Sequence, residues 1–207
     1  MSRRLPIFEL PIVLLPGEQI PLHIFEERYK RMIEGALESG EPIGILLNDE
    51  AGARNMGCTA QVTELLERYE DGRLDIVVTG GSPFRVLDRL GLPEDPAAEA
   101  EIIDHLGEEA APEGEAAGPA RRAFLDLAER ASGERPPEEE VASAAAYGLA
   151  ARVELPAETK QELLQMRDEE ERMRLLTTAL RTLLRVLDRT EEVAERARSN
   201  GRMRIGP

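Results

Sequence analysis

Residues 5–38 read LPIFELPIVLLPGEQIPLHIFEERYKRMIEGALE, and the parsing of this stretch decides the fold. Two Pro-punctuated apolar segments lead into Pro16-Gly17, then into Pro21-Leu22, then into a helical pattern. Leu5–Leu15 reads as one or two strands. Proline cannot donate to a sheet ladder, so Pro6 and Pro11 point to edges and bends rather than to a central strand. Pro16-Gly17 is a turn signal. From Phe25 the period changes to helical, with Phe25, Tyr29, Met32/Ile33 and Ala36 on one face. Ser39-Gly40 ends that helix, the glycine supplying a left-handed cap.

Downstream, Ile43–Leu47 is a short apolar run predicted as a buried strand, and Asp49–Asn55 reads as a loop. Cys58–Tyr69 is a long strand candidate. It is followed by Asp71-Gly72 and then by Leu74, Ile76 and Val78, which alternate with Asp75, Val77 and Thr79. An Asp-Gly pair between such runs predicts a hairpin whose two central residues both take positive φ. Gly80-Gly81 reads as a strand break, with Phe84, Val86 and Leu87 opening another strand and Ala98–Leu106 forming a last one.

After the acidic segment EEAAPEGEAAG at 108–118, which has a linker composition, the strand patterns stop. Pro119 suits the first turn of a helix whose apolar face is Phe124, Leu127/Ala128 and Ala131. Ser132–Pro137 breaks it. Val141, Ala145, Leu149 and Val153 form a second stripe, Glu158–Met166 a further helix, and Asp168 with Glu171 a capping-box start for a long final one. In that helix Met173, Leu176, Leu180, Leu183 and Leu187 step by three and four and form a packing seam. The tail from Arg196 is basic and reads as frayed. The layout is therefore α+β. A mostly-β half with one early helix (1–107) is followed by an acidic linker (108–118) and an all-α helical bundle (119–207).

Composition narrows the function classes. With 42% hydrophobic residues the chain has enough apolar material for a packed core. Aromatics are 3% and Trp is absent, so that core must be built from Leu, Ile, Val and Ala. Cys58 is the only thiol, which rules out an internal disulfide and fits a reducing compartment. The net charge of −15 disfavours nucleic acid, whose phosphates call for a Lys/Arg excess. Residues 91–118 alone carry nine acids and no Lys or Arg. No apolar run approaches the roughly 18 residues of a membrane span. Glu9 and the prolines also interrupt the N-terminal run that would otherwise resemble a leader. A cytoplasmic protein without membrane contact is expected.

The motifs carry a resemblance. LPIFELPIVLLPGEQIPLHIFEERYKRMIEGAL resembles the opening of the Lon protease N-terminal domain, with its strand, Pro-Gly turn, Pro-Leu dipeptide and helix. Gly57-Cys58-Thr59-Ala60, the Asp71-Gly72 hairpin and the Gly80, Phe84, Val86 pattern are also similar to that domain. So is LPAETKQELLQMRDEEERMRLL at 155–176. The similarity spans about residues 5 to 190. It implies a PUA-like β-barrel followed by a helical bundle, and a role in capturing protein substrates. An ATPase would need a Gly-Lys-[Ser/Thr] phosphate loop. Lys30 follows Tyr29 and Lys160 follows Thr159, so neither builds one, and no serine has the setting of the Lon Ser–Lys peptidase. The chain reads as a free-standing, non-catalytic member.

The expected function is binding of unfolded or exposed apolar protein segments, in a groove between barrel and bundle or along an open barrel edge. Phe8, Ile12, His23, Phe25 and Tyr29 are the expected walls. A separate ATP-dependent protease is the expected partner, self-association would run through the helical half, and no cofactor or metal is implied. His23 also reads as a helix-entry residue bonded to nearby backbone. His105 beside Asp104 reads as a surface pair, because no third ligand stands at metal spacing. Gly80-Gly81-Ser82 departs from the G-x-S-x-G nucleophile pattern and reads as a turn. An RNA-binding PUA-like module, favoured only by the tail Arg196, Arg198, Arg202 and Arg204, and a hydrolase with an unrecognised site are the alternatives.

Overall fold

The computed structural model describes residues 2–92, 94–103 and 114–200. Its first half contains β1 (Ser2–Leu10), β2 (Gln19–Ile24), α1 (Glu27–Ser39), β3 (Ile43–Asp49), β4 (Gly52–Arg68), β5 (Leu74–Leu92) and β6 (Asp95–Ile102). The second half contains α2 (Ala117–Ser132), α3 (Ala146–Ala150), α4 (Ala157–Gln165) and α5 (Glu169–Asn200). The strands run in the order β2-β5-β4-β3-β1-β6, and a further β5–β6 pairing closes the sheet into a barrel. The α+β class is therefore observed, with strands first and helices after.

Closure depends on β5 serving two partners in succession. Its first part, Leu74–Thr79, lies between β2 and β4, and its second part, Phe84–Leu92, pairs with β6. This needs one long strand, and it overturns the expected break at Gly80-Gly81. A Cβ on Gly80 would sit 2.0 Å from the Leu15 carbonyl oxygen. The glycine instead lets the 15–18 segment come against the strand, where Gly17 N–H donates to Gly80 O (2.9 Å) and Gly80 N–H to Glu18 O (2.8 Å). The absent side chain marks a close backbone approach, not an end of pairing.

Pro6 also carries a different meaning from the one expected, whereas Pro11 lies in a bend as expected. β1 lies inside the ring between β6 and β3. Ser2–Pro6 pair with β6, and Ile7–Leu10 pair in parallel with β3. Pro6 falls where the strand changes partner, so its missing N–H interrupts neither ladder. Pro11 follows the last paired residue.

The β4–β5 hairpin forms as predicted but with another turn. Of Asp71 and Gly72 only the glycine has positive φ (81°), and no non-glycine residue among those described does. Gly72 N–H donates to Tyr69 O (3.0 Å) and Tyr69 N–H to Arg73 O (2.9 Å), which is a longer loop ending in a glycine bulge. The loop expected at 49–55 is likewise mostly strand. Asp49 accepts from Ala51 N–H (2.9 Å) and from Arg54 (2.7 Å), and these contacts tighten the β3–β4 connection.

Two apolar clusters result. Leu5, Ile7, Leu46, Phe84, Ala98 and Ala100 fill the interior of the closed ring. The larger cluster contains Ile43, Ile45, Leu74, Ile76 and Val78 from the strands and Tyr29, Met32, Ile33 and Ala36 from α1. It continues into Phe124, Leu163, Leu164, Met173, Leu176 and Leu180 of the helices. The predicted faces of α1 and α5 thus pack on the core, except that Leu183 and Leu187 are only half-buried and that α1 starts at Glu27, leaving Phe25 outside. Gly40 caps α1 with φ 71°, and Asp168 Oδ1 accepts Glu171 N–H (2.8 Å) at the start of α5.

The stripe 141–153 is not one helix. A 3-10 turn spans Glu138–Glu140, and α3 begins only at Ala146. Glu169 of α5 accepts the Ala146 N–H (2.6 Å) and so fixes the start of the new helix there. Arg172 is buried between Glu169 Oε2 (2.8 Å), the Met166 carbonyl (2.8 Å) and the Tyr147 ring. This network ties α3, α4 and α5 together.

Candidate functional site

The period of β2 sets out one side of the candidate site. Ile24 points into the core and Leu22 is half-buried, so Pro21 and His23 between them face outward. β2 pairs with β5 on one edge only, and among the described residues no strand pairs its other edge. Its outer backbone groups therefore have no strand partner among the described residues.

At the end of this strand Phe25 is 62% exposed, and its ring lies 6.1 Å from that of His23, nearly parallel. His23 Nδ1 contacts Asp75 Oδ1 on the facing strand at 2.5 Å. Tyr69 OH donates to Asp75 Oδ2 (2.8 Å), and its ring meets His23 edge-on at 6.0 Å. The Arg73 guanidinium stands 4.8 Å over the other side of Tyr69. The bond from His23, with that from Tyr69, holds the Asp75 carboxyl below its ordinary range. Accepting charge on Asp75 in turn pushes the Tyr69 hydroxyl up to about 12. On β4, Leu65 and Leu66 are also exposed. Leu65 stands opposite Ile76, which stands opposite Leu22 of β2.

The five residues expected as walls therefore divide. Phe8 and Tyr29 are core, their ring centroids 4.1 Å apart, and burial raises the Tyr29 hydroxyl pKa. Ile12 is half-buried. Only His23 and Phe25 share an exposed face. The structure brings Tyr69, Asp75 and Arg73 to that face, which periodicity alone did not connect with His23. The available signal was strand pairing, since His23 and Asp75 both hold outward positions of adjacent strands.

Just ahead of β2 the barrel forms a seam with the helices. Glu18 Oε2 accepts Leu15 N–H (2.9 Å), and its Oε1 receives Lys160 Nζ from α4. The two side chains are only 9% and 12% exposed. The next residue, Gln161, donates to the Met56 carbonyl of β4 (3.0 Å). Lys160 and Gln161 belong to the LPAETKQELL segment quoted for its resemblance, and docking α4 on the barrel is their role.

Other sequence candidates are accounted for individually. Ser82 lies within β5 and donates its N–H to Thr59 Oγ1 (2.8 Å). Cys58 is buried, and burial pushes its thiol pKa up, away from a reactive thiolate. His105 and Asp104, and most of the 108–118 segment, lie outside the described residues, as do Arg202 and Arg204. Of the segment's end, Ala117 already opens α2, and Glu170 of α5 accepts the Ala116 N–H (3.1 Å). Among the described residues no His/Cys/Asp/Glu cluster could hold a metal, and no helix is long and apolar enough to cross a membrane.

Comparison with known proteins gives a consistent result. The model of the ATP-dependent protease La (LON) substrate-binding domain matches residues 4–182. The chain is similar in structure to the Lon N-terminal domain protein from Xanthomonas campestris, with 25% identity and a TM-score of 0.65, covering 85% of this chain and 98% of that one. It shares its fold with the N-terminal domain of Mycobacterium avium complex Lon protease, with 16% identity and a TM-score of 0.65, covering 86% of this chain and 98% of that one.

Proposed function

Since the chain belongs to the LON substrate-binding domain family, we propose that it captures exposed apolar segments of other proteins without itself catalysing a reaction, the segment lying extended along the free edge of β2. The observation that carries this reading is the combination on β2 of an unpaired strand edge and the projecting Phe25 ring. An added strand would gain backbone hydrogen bonds that do not depend on its sequence. An apolar side chain set against the exposed Phe25 ring would supply preference. Such a site suits clients that share exposure of apolar chain rather than a common motif. In this reading residues 1–107 form the capture unit, 108–118 the acidic connection and 119–207 the supporting bundle. A separate ATP-dependent protease then receives the bound client.

The test is titration of unfolded model proteins and C-terminally amidated apolar peptides into the chain, monitored by backbone amide resonances. Shifts confined to β2, Phe25 and their neighbours are expected. Absence of binding up to about millimolar ligand would remove the proposal.

A further inference from the structure

A second concavity lies between α4 and the paired strands β4 and β5, away from the free edge of β2. It is a cleft of about 380 Å³ lined by Arg54, Asn55, Met56, Arg85, Gln161 and Gln165. Its size falls in the range of small-ligand clefts, roughly 300–1,000 Å³. Met56 stands opposite Arg85 across the β4–β5 ladder, and Gln161 and Gln165 lie one turn apart on α4.

Two polar atoms of its lining are buried without a partner. Gln161 is 5% exposed, and its Nε2 is engaged by the Met56 carbonyl, which leaves Oε1 as an unsatisfied acceptor. Arg54 reaches Asp49 through its terminal nitrogen at 2.7 Å, yet its Nε–H is an unsatisfied donor. Buried polar atoms are paired in all but a few cases per protein, so an acceptor and a donor left over in one cleft call for an explanation. Charge gives a further indication. The chain carries −15 overall, but this lining holds two guanidiniums and no carboxylate, with Asp49 pairing Arg54 from outside it. The nearest acid to Arg85, Glu101, stands at 4.0 Å, beyond hydrogen-bond length.

We propose that this cleft binds an α-carboxylate together with the acyl N–H next to it, the chemistry presented by the C-terminal end of a polypeptide. The ligand N–H donates to Gln161 Oε1. The carboxylate accepts from Arg54 Nε–H and from the Arg85 guanidinium, whose planar donors match a carboxylate. Both orphaned atoms are closed to solvent in the free chain; rotation of the two side chains toward the cleft uncovers them, and the ligand then satisfies both. An N-acyl amino acid carries the same pair of groups, whereas an Asp or Glu side-chain carboxylate lacks the adjacent N–H. The inference is independent of the β2 reading.

The full chain is titrated with acetyl-trialanine bearing a free C-terminus, with the same peptide as its C-terminal amide, and with N-acetylalanine. The free acid is expected to bind about tenfold or more tightly than the amide, because only it engages the charged donors. Arg85→Gln, a change at an exposed side chain, is expected to remove that preference. Arg68→Gln, which alters an exposed arginine outside the cleft, is expected to keep it. Tighter binding of the tripeptide than of N-acetylalanine supports chain termini as the source, and equal binding supports a small N-acyl amino acid. Equal affinity for acid and amide, no binding at about 10 mM, or an unchanged preference in Arg85→Gln overturns the proposal. C-terminally amidated peptides still report on β2, so failure here leaves that test intact.

Discussion

Two regions of the barrel, the seam with α4 and the β2 edge, use charge in opposite ways. At the seam with α4, Lys160 and Glu18 are nearly removed from water and spend their hydrogen bonds on each other and on the Leu15 backbone. At the β2 edge, His23, Asp75 and Tyr69 form a chain of contacts at the surface beside an exposed aromatic ring. A buried ion pair is costly to break because its surviving member is stranded in a poor solvent. An exposed one is screened and contributes little to stability. The seam is therefore the place where a single substitution should damage the fold, and the edge is the place where it should damage only recognition.

The sharpest way to break this contrast is Lys160→Met. It leaves the Glu18 carboxylate buried without its cation, and the expected loss is about 3 kcal/mol of unfolding free energy in urea denaturation. Adding Glu18→Gln removes the stranded charge while keeping an oxygen for Leu15 N–H, so the double variant should recover at least half of the loss. A single variant within about 0.5 kcal/mol of the parent, the range of ordinary surface changes, would show that the seam is no clamp.

Gly80→Ala comes next. The new methyl would lie 2.0 Å from the Leu15 carbonyl oxygen, so the 15–18 segment must move away from β5. Overpacking of this kind costs about 2 kcal/mol. The same displacement carries Glu18 away from Lys160, so the Gly80→Ala and Lys160→Met losses should be less than additive.

These two positions also show where reading from sequence stops. Elements specified by local chemistry were legible: the alternation Leu74, Ile76, Val78, the helix ending at Gly40, the cap at Asp168 and the seam of α5. Positions whose meaning comes from a distant strand or helix were not. Gly80-Gly81 has the composition of a break, yet it permits contact with a segment some sixty-five residues earlier. Lys160 and Glu18 are separated by 142 positions, and nothing in either local pattern names the other. The stripe at 141–153 had helical spacing but lost to the hydrogen bond that Ala146 N–H donates to Glu169. In the candidate site, exposure of His23 and Phe25 was not legible either, because 19–24 carried no strand reading and the helical face was begun at Phe25, two residues ahead of α1. Burial of Phe8 and Tyr29 depended on α1 packing against β1, which periodicity does not reveal.

A smaller effect is expected at Asp75. Its carboxyl is held below the ordinary value of 3.8, chiefly by His23 and then by Tyr69. A carboxylate with a depressed folded-state pKa adds stability above its unfolded value, and that stability is lost as pH falls through the folded value. The melting temperature of Asp75→Asn should therefore lie below the parent's at about pH 5 and converge with it toward about pH 2. A gap that persisted unchanged at the acid end would mean that packing, not ionisation, holds the edge together.

The least effect on stability and the most specific effect on function belong to Phe25. Its ring is 62% exposed, outside both apolar clusters and ahead of the first turn of α1. Phe25→Ala removes little buried area, so unfolding should stay within about 0.5 kcal/mol of the parent. If an extended segment lies along β2, the same variant should weaken binding of an apolar peptide by about tenfold, roughly the 1.4 kcal/mol that one aromatic anchor readily supplies. Substituting Val186, 53% exposed and on α5, should change neither quantity. Loss of stability without loss of binding in Phe25→Ala would invert the contrast between seam and edge, because the ring would then be supporting the entry to α1 rather than meeting a partner.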